Sequence, residues 1–136
     1  MTFVVDASVV LAWCLADESS EVADAAIGRL LSEGGIAPAH WPVEIASALR
    51  AAERRGRIDN DALGQLIPRL TTLPVEILPV EFSTALSVID TARRYELTVY
   101  DACYLHLAEF RGVALATVDA RLAQACDAAG VPLIAA

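Results

Sequence analysis

The sequence predicts an α/β protein: helices on both faces of a mostly parallel sheet of four to five strands, giving three layers. Three observations carry this. Phe3-Val4-Val5 is uniformly apolar, the pattern of a strand buried on both faces. Further short apolar runs fall at 35–38, 75–78, 113–117 and 131–134, and the segments between them have helical periodicity. The 136 residues are 56% hydrophobic, which suits one domain, 1–136, with a substantial core.

The elements follow in order. A strand over 3–6 ends on Asp6, and a short helix over 8–16 turns Val9, Val10, Trp13 and Cys14 inward. Asp17-Glu18-Ser19-Ser20 breaks that helix, and Ser19 or Ser20 caps the next. The second helix carries Val22, Ala25, Ala26 and Leu30 and stops near Gly34-Gly35. After a strand over 35–38, His40-Trp41-Pro42 opens a helix that runs to Arg55, with Pro42 in its first turn. Gly56 ends it, and another helix spans 59–72. Pro74 and Pro79 bracket a third strand over 75–78. Residues 81–95 form an amphipathic helix with Phe82, Ala85, Leu86, Ile89 and Ala92 as its stripe. Thr98 opens a helix over 99–110, stopped by Gly112. A strand over 113–117, a helix over 119–129 and a short strand over 131–134 complete the chain. There is no linker, repeat or low-complexity tract.

Charge and composition exclude several functions. A net charge of −8 opposes binding nucleic acid through a broad basic surface, though not through metal ions and a few arginines. All ten basic residues are Arg, so P-loop and Schiff-base chemistry, which need Lys, are excluded. Cys14, Cys103 and Cys126 are odd in number and lack metal-type spacing, and they read as core thiols of a reducing compartment. No apolar run reaches membrane-span length and no basic-then-apolar leader opens the chain, so a cytoplasmic protein without a membrane role is expected.

Four acids, Asp6, Glu44, Asp101 and Asp119, each fall at a strand end or in the first turn of a helix. Singly, each has a capping explanation: Asp6 and Asp119 as N-caps, Asp101 in a capping box opened by Thr98, Glu44 against the helix dipole. Together they mean more. In a parallel sheet the helix N-termini gather at the carboxyl edge of the strands, so the four acids crowd one crevice. Crowded carboxylates repel, and a divalent cation relieves the repulsion. Oxygen ligands without His or Cys favour Mg²⁺ or Mn²⁺. Such an ion can activate water and stabilise charge on a phosphodiester.

The blocks Val4-Val5-Asp6-Ala7-Ser8, Pro42-Val43-Glu44-Ile45-Ala46-Ser47-Ala48-Leu49, Tyr100-Asp101-Ala102-Cys103-Tyr104-Leu105-His106-Leu107-Ala108 and Thr117-Val118-Asp119-Ala120-Arg121-Leu122 resemble the four motifs of PIN-domain nucleases. Length and spacing are similar to the VapC-type toxins of toxin–antitoxin pairs. The resemblance implies a PIN-like fold and a Mg²⁺-dependent endoribonuclease, Mn²⁺ also serving, that inhibits translation by cutting RNA. Asp6, Glu44, Asp101 and Asp119 would form the acidic site, with Asp6 and Asp101 the firmest metal ligands. Ser8 and Thr117 match hydroxyls that help hold such a site; turn and capping chemistry explains them equally well. His106 stands where relatives carry a small or apolar residue, and reads as a structural histidine. His40 reads as a loop residue.

The resemblance also implies partners: a VapB-type antitoxin, held by the helical pair over 42–72, and a second copy in a homodimer. Most apolar residues of that pair are expected in the core. Arg50, Arg54, Arg55 and Arg57 are either a solvated helix end or a contact for phosphate or an acidic partner. Arg93-Arg94 has the same two explanations. Asp17-Glu18 is a solvated helix end or an auxiliary pair near the site. Three other readings stay open: a PIN nuclease of RNA processing without an antitoxin, a metal-dependent phosphatase or phosphoacceptor domain, and a binding module whose acids only cap helices. The phosphatase class lacks the Lys and the second nearby Asp it needs.

Overall fold

The computed structural model describes residues 1–136. Four strands, β1 (Phe3–Val5), β2 (Gly35–Pro38), β3 (Val75–Leu78) and β4 (Leu115–Ala116), pair in parallel in the order β3-β2-β1-β4. Seven helices flank them: α1 (Ala7–Cys14), α2 (Glu21–Glu33), α3 (Trp41–Arg54), α4 (Asn60–Thr71), α5 (Phe82–Tyr95), α6 (Val99–Arg111) and α7 (Ala120–Ala129). This is the three-layer α/β/α arrangement the alternating pattern predicts.

The order of strands places the site. The chain lays β2 and β3 on one side of β1, then returns to lay β4 on the other. The strand order therefore reverses at β1, and open α/β sheets take their ligands outside the carboxyl edge at such a point. All three residues of β1 are buried, and β1 is the hydrogen-bonded neighbour of both β2 and β4. Gly35 lets β2 begin against it: a Cβ there would stand 2.5 Å from Leu30 Cδ1 and 3.3 Å from the Phe3 carbonyl oxygen.

The helix ends follow their predicted chemistry. Side chains of Asp6, Ser20, Asp59, Thr98 and Asp119 accept N-cap bonds, and Gly34, Gly112 and Gly130 close α2, α6 and α7 at positive φ. The break after α1 is a single 3₁₀ turn, Ala16–Glu18. Ala23, Ala26, Ile27 and Leu30 form the buried face of α2; Ala26 and Leu30 are as expected, while Ala23 and Ile27 take the places of Val22 and Ala25.

Three expectations need correction. The fifth strand is reduced to one bridge, Leu115 to Leu133, because Pro132 has no N–H to offer a ladder. The predicted stripe of α5 shares only Ala92 with the buried face. Val88 and Ala92 are buried, whereas Phe82 is 79% and Leu86 51% exposed, and Phe110 of α6 is 78% exposed. Periodicity identifies an apolar face without saying what covers it. Nor do α3 and α4 bury most of their apolar residues. Trp41, Ile45, Leu49, Ala52 and Leu66 are buried, but Val43 and Ile67 are not. Ile45, Ala46, Leu49, Leu63, Ile67 and Leu70 line an open groove of about 510 Å³ between the two helices. Trp41 also lines the groove, and its buried indole N–H has no partner.

Candidate functional site

Asp6 follows β1 directly and is 3% exposed. Ser8 Oγ donates to its Oδ1 at 2.5 Å, the Val9 N–H donates to the same oxygen at 3.3 Å, and Thr117 Oγ1 donates to Oδ2 at 2.5 Å. One carboxylate thus ties the end of β1 and the start of α1 to the segment after β4. The tie continues outward. The Val118 N–H donates to Ser8 Oγ, the Asp119 N–H to Thr117 Oγ1, both at 3.0 Å, and Asp119 Oδ1 accepts from the Leu122 N–H as the cap of α7. Ser8 and Thr117 therefore hold Asp6 and the approach to Asp119 at once.

Glu44 sits in the first turn of α3 and Asp101 in the first turn of α6, where the Asp101 N–H donates to Thr98 Oγ1 at 3.1 Å. Tyr104, fully buried on α6, donates its hydroxyl to Glu44 Oε1 at 2.9 Å. His40, the residue before α3, packs its ring 5.0 Å from Tyr104 and 5.3 Å from Tyr100, with Nε2 3.6 Å from Glu44 Oε1. His40 is thus a member of the site's wall. Sequence reasoning missed this, and it missed Tyr104. The signal for Tyr104 was slight: a polar tip one turn after Asp101 on a helix otherwise buried there.

The acids act on one another. Burial pushes the Asp6 carboxyl up to about 7 against the pull of Ser8, Thr117 and the Val9 N–H, and the Glu44 charge adds to the rise. Glu44 is raised by burial, held back by the Tyr104 hydroxyl and raised again by Asp119. Asp101 is raised by burial and then by Asp119 and Glu44, with His40 and Thr98 opposing. Burial keeps His40 below its ordinary value, and the Tyr104 phenol is driven far up by burial and by the Glu44 and Asp6 charges. Asp6, Glu44, Asp101 and Asp119 therefore share one electrostatic field although they come from four distant parts of the chain.

As they stand, no group of three or more His, Cys, Asp or Glu side chains is arranged to hold a metal ion. The donor set itself fits one. The ligands are hard oxygens, and their mutual repulsion is what a divalent cation removes. The remaining polar candidates lie elsewhere or are engaged. Arg57 is bidentate to Asp17, both contacts at 2.9 Å, and also reaches Glu18 at 3.3 Å. That pairing is what solvated helix ends at the surface would make, one of the two readings open for Arg57 and for Asp17-Glu18. Arg50 pairs with Glu53. His106 is half-buried and stacks on the exposed Phe110, 6.2 Å between centroids.

Comparison with known proteins identifies the family. The PIN domain family matches residues 3–128. Ribonuclease VapC12 of Mycobacterium tuberculosis is 38% identical over 100 residues, covering 71% of this chain and 72% of its own length. Ribonuclease VapC3 of Pyrobaculum aerophilum is 32% identical over 97% of this chain and 100% of its own. The crystal structure of PAE2754 from Pyrobaculum aerophilum superposes with a TM-score of 0.72 at 25% identity, covering 98% of this chain and 90% of that one. The crevice at the β1 reversal, the ordered acidic blocks and these relatives lead to one assignment: the chain belongs to the PIN-domain family, among its VapC proteins.

Proposed function

We propose that this protein is a metal-dependent endoribonuclease toxin, working as one domain over 1–136 in the cytoplasm and neutralised by a cognate antitoxin. One observation supports the reading: near the reversal of strand order, carboxylates from separate segments feel one another's charge, and each of Asp6, Glu44 and Asp101 is pushed up by another of the set. Asp6 and Asp101, with Glu44 and Asp119, would hold Mg²⁺, Mn²⁺ substituting. The ion would supply an activated water and a counter-charge for the phosphodiester. The chain's residues do the rest. Ser8 and Thr117 fix both oxygens of Asp6, Thr98 fixes the start of α6, and burial keeps bulk water from the floor of the crevice. Asp119 is exposed and so faces an arriving strand of RNA.

The partners are read from surfaces. The groove between α3 and α4 is apolar and fits a helix of a VapB-type antitoxin laid into it. The exposed Phe82, Leu86 and Phe110 support a homodimer. No helix is long and apolar enough to cross a membrane.

The test is to sequence RNA 5′ ends after brief expression in cells. New ends at a small number of sites, absent with Asp6→Asn, are expected. No new ends, or the same ends with Asp6→Asn, would contradict the proposal. Growth arrest relieved by co-expression of a small upstream reading frame checks the antitoxin.

A further inference from the structure

Tyr104 has a position that packing alone does not explain. It is the largest fully buried side chain in the molecule, and its hydroxyl ends on Glu44 Oε1 at 2.9 Å. A buried phenol needs a partner for its O–H, and Phe would fill the same space without that need. The choice of Tyr thus points at the carboxylate. A phenol is protonated near neutral pH, so Tyr104 donates and Glu44 accepts. Glu44 Oε1 is the engaged oxygen, and no protein group hydrogen-bonds Oε2. His40 stands on the same side of the carboxylate, its buried Nε2 unpartnered and 3.6 Å from Oε1, with its ring edge-on to Tyr104 at 5.0 Å.

We propose that Tyr104 is a positioning residue of the acidic site: its hydroxyl fixes Glu44 through Oε1 and presents Oε2 to a divalent cation. The inference rests on the metal-dependent reading above. Its physical basis is that of outer partners in metal sites. A carboxylate on a flexible side chain binds an ion weakly unless a second hydrogen bond has already selected its rotamer. Asp6 has three such bonds from Ser8, Val9 and Thr117, whereas Glu44 has Tyr104 alone. Glu44 should therefore be the carboxylate most sensitive to loss of one outer contact.

The experiment is a double-mutant cycle on Mn²⁺ affinity, read by calorimetry on the full chain. The variants are Tyr104→Phe, Glu44→Gln and both together, with thermal melting as the check on folding. Tyr104→Phe is expected to weaken Mn²⁺ binding about tenfold or more, and to add nothing in the Glu44→Gln background. With RNA as substrate, the Mn²⁺ concentration for half-activity should rise while the rate at saturating Mn²⁺ changes little. Unchanged affinity in Tyr104→Phe while Glu44→Gln weakens binding would overturn the inference, as would an equal loss in both backgrounds. A Glu44→Gln protein that binds Mn²⁺ normally removes Glu44 from the site and the inference with it. Asp6→Asn then decides separately whether the metal reading stands.

Discussion

The crevice at the carboxyl edge of the sheet and the groove between α3 and α4 solve opposite problems. The crevice is polar, built from four chain segments, and locked by short hydrogen bonds onto Asp6. The groove is apolar, built from one helical pair, and open. In the crevice, buried charge is unfavourable, and a bound cation would relieve it. In the groove, exposed apolar surface is unfavourable, and a docked polypeptide would cover it. The two meet in α3, whose first turn carries Glu44 and whose buried side carries Ile45 and Leu49. A partner seated in the groove therefore lies against the helix that delivers a carboxylate to the crevice.

Substitutions can separate the two regions. The largest effect belongs to the crevice. Asp101→Asn should lower RNA cleavage by about 10²–10⁴-fold, the range expected for losing a group that positions or activates water. Asp119→Asn should cost less, since Asp119 is exposed and already serves as the cap of α7. Antitoxin binding should be unchanged by either, as measured by calorimetry. Equal losses in cleavage and in partner binding would mean that the regions are one site.

The second effect is on stability. Burial pushes the Asp6 carboxyl up to about 7 from its ordinary 3.8. Across that window the native metal-free protein holds a proton that the unfolded chain has released, so stability falls as pH rises from 3.8 to about 7 and stays low above it. Asp6→Asn removes the penalty. At pH 8 the metal-free variant should be more stable than the native chain, on the order of 2–4 kcal/mol, with the gap closing near pH 4. Denaturant titration at both pH values checks this.

The groove gives a smaller and differently placed change. Ile67 is half-exposed on α4, so Ile67→Glu should alter stability by no more than about 0.5 kcal/mol. It should weaken antitoxin binding roughly tenfold or more while cleavage of RNA is kept. The smallest effect is Arg57→Ala. Its pairing with Asp17 and Glu18 joins the end of α1 to the turn between α3 and α4, but at the surface. A shift of a few degrees in Tm is expected, vanishing in high salt, with activity intact.

The crevice was more legible in the sequence than the groove, for a physical reason. Asp6, Glu44, Asp101 and Asp119 are placed by local punctuation: a strand end, a Pro-led helix start, a Thr cap and an N-cap. Parallel topology then gathers those points at one edge whatever the tertiary detail. Tyr104 and His40 escaped because their partners lie far away in sequence or across a ring contact that no spacing encodes. Phe82 and Leu86 of α5, and Ile67 of α4, were misjudged for a related reason. An apolar stripe predicts that something covers it, and in this chain the cover is not supplied by the sheet. Pro132 was visible all along as a residue that cannot complete a ladder, yet the apolar run around it suggested a full strand.

The central claim is that the crevice acids cut RNA through a shared cation, and the most direct measurement is cleavage of RNA by the purified chain with Mg²⁺, with a chelator, and with the chelator followed by excess Mg²⁺ or Mn²⁺. Cleavage is expected in the first and third conditions and none in the second, with folded Asp6→Asn and Asp101→Asn proteins reduced to a small residual rate throughout. Cleavage that survives the chelator, or that both variants retain at the native rate, would contradict that claim.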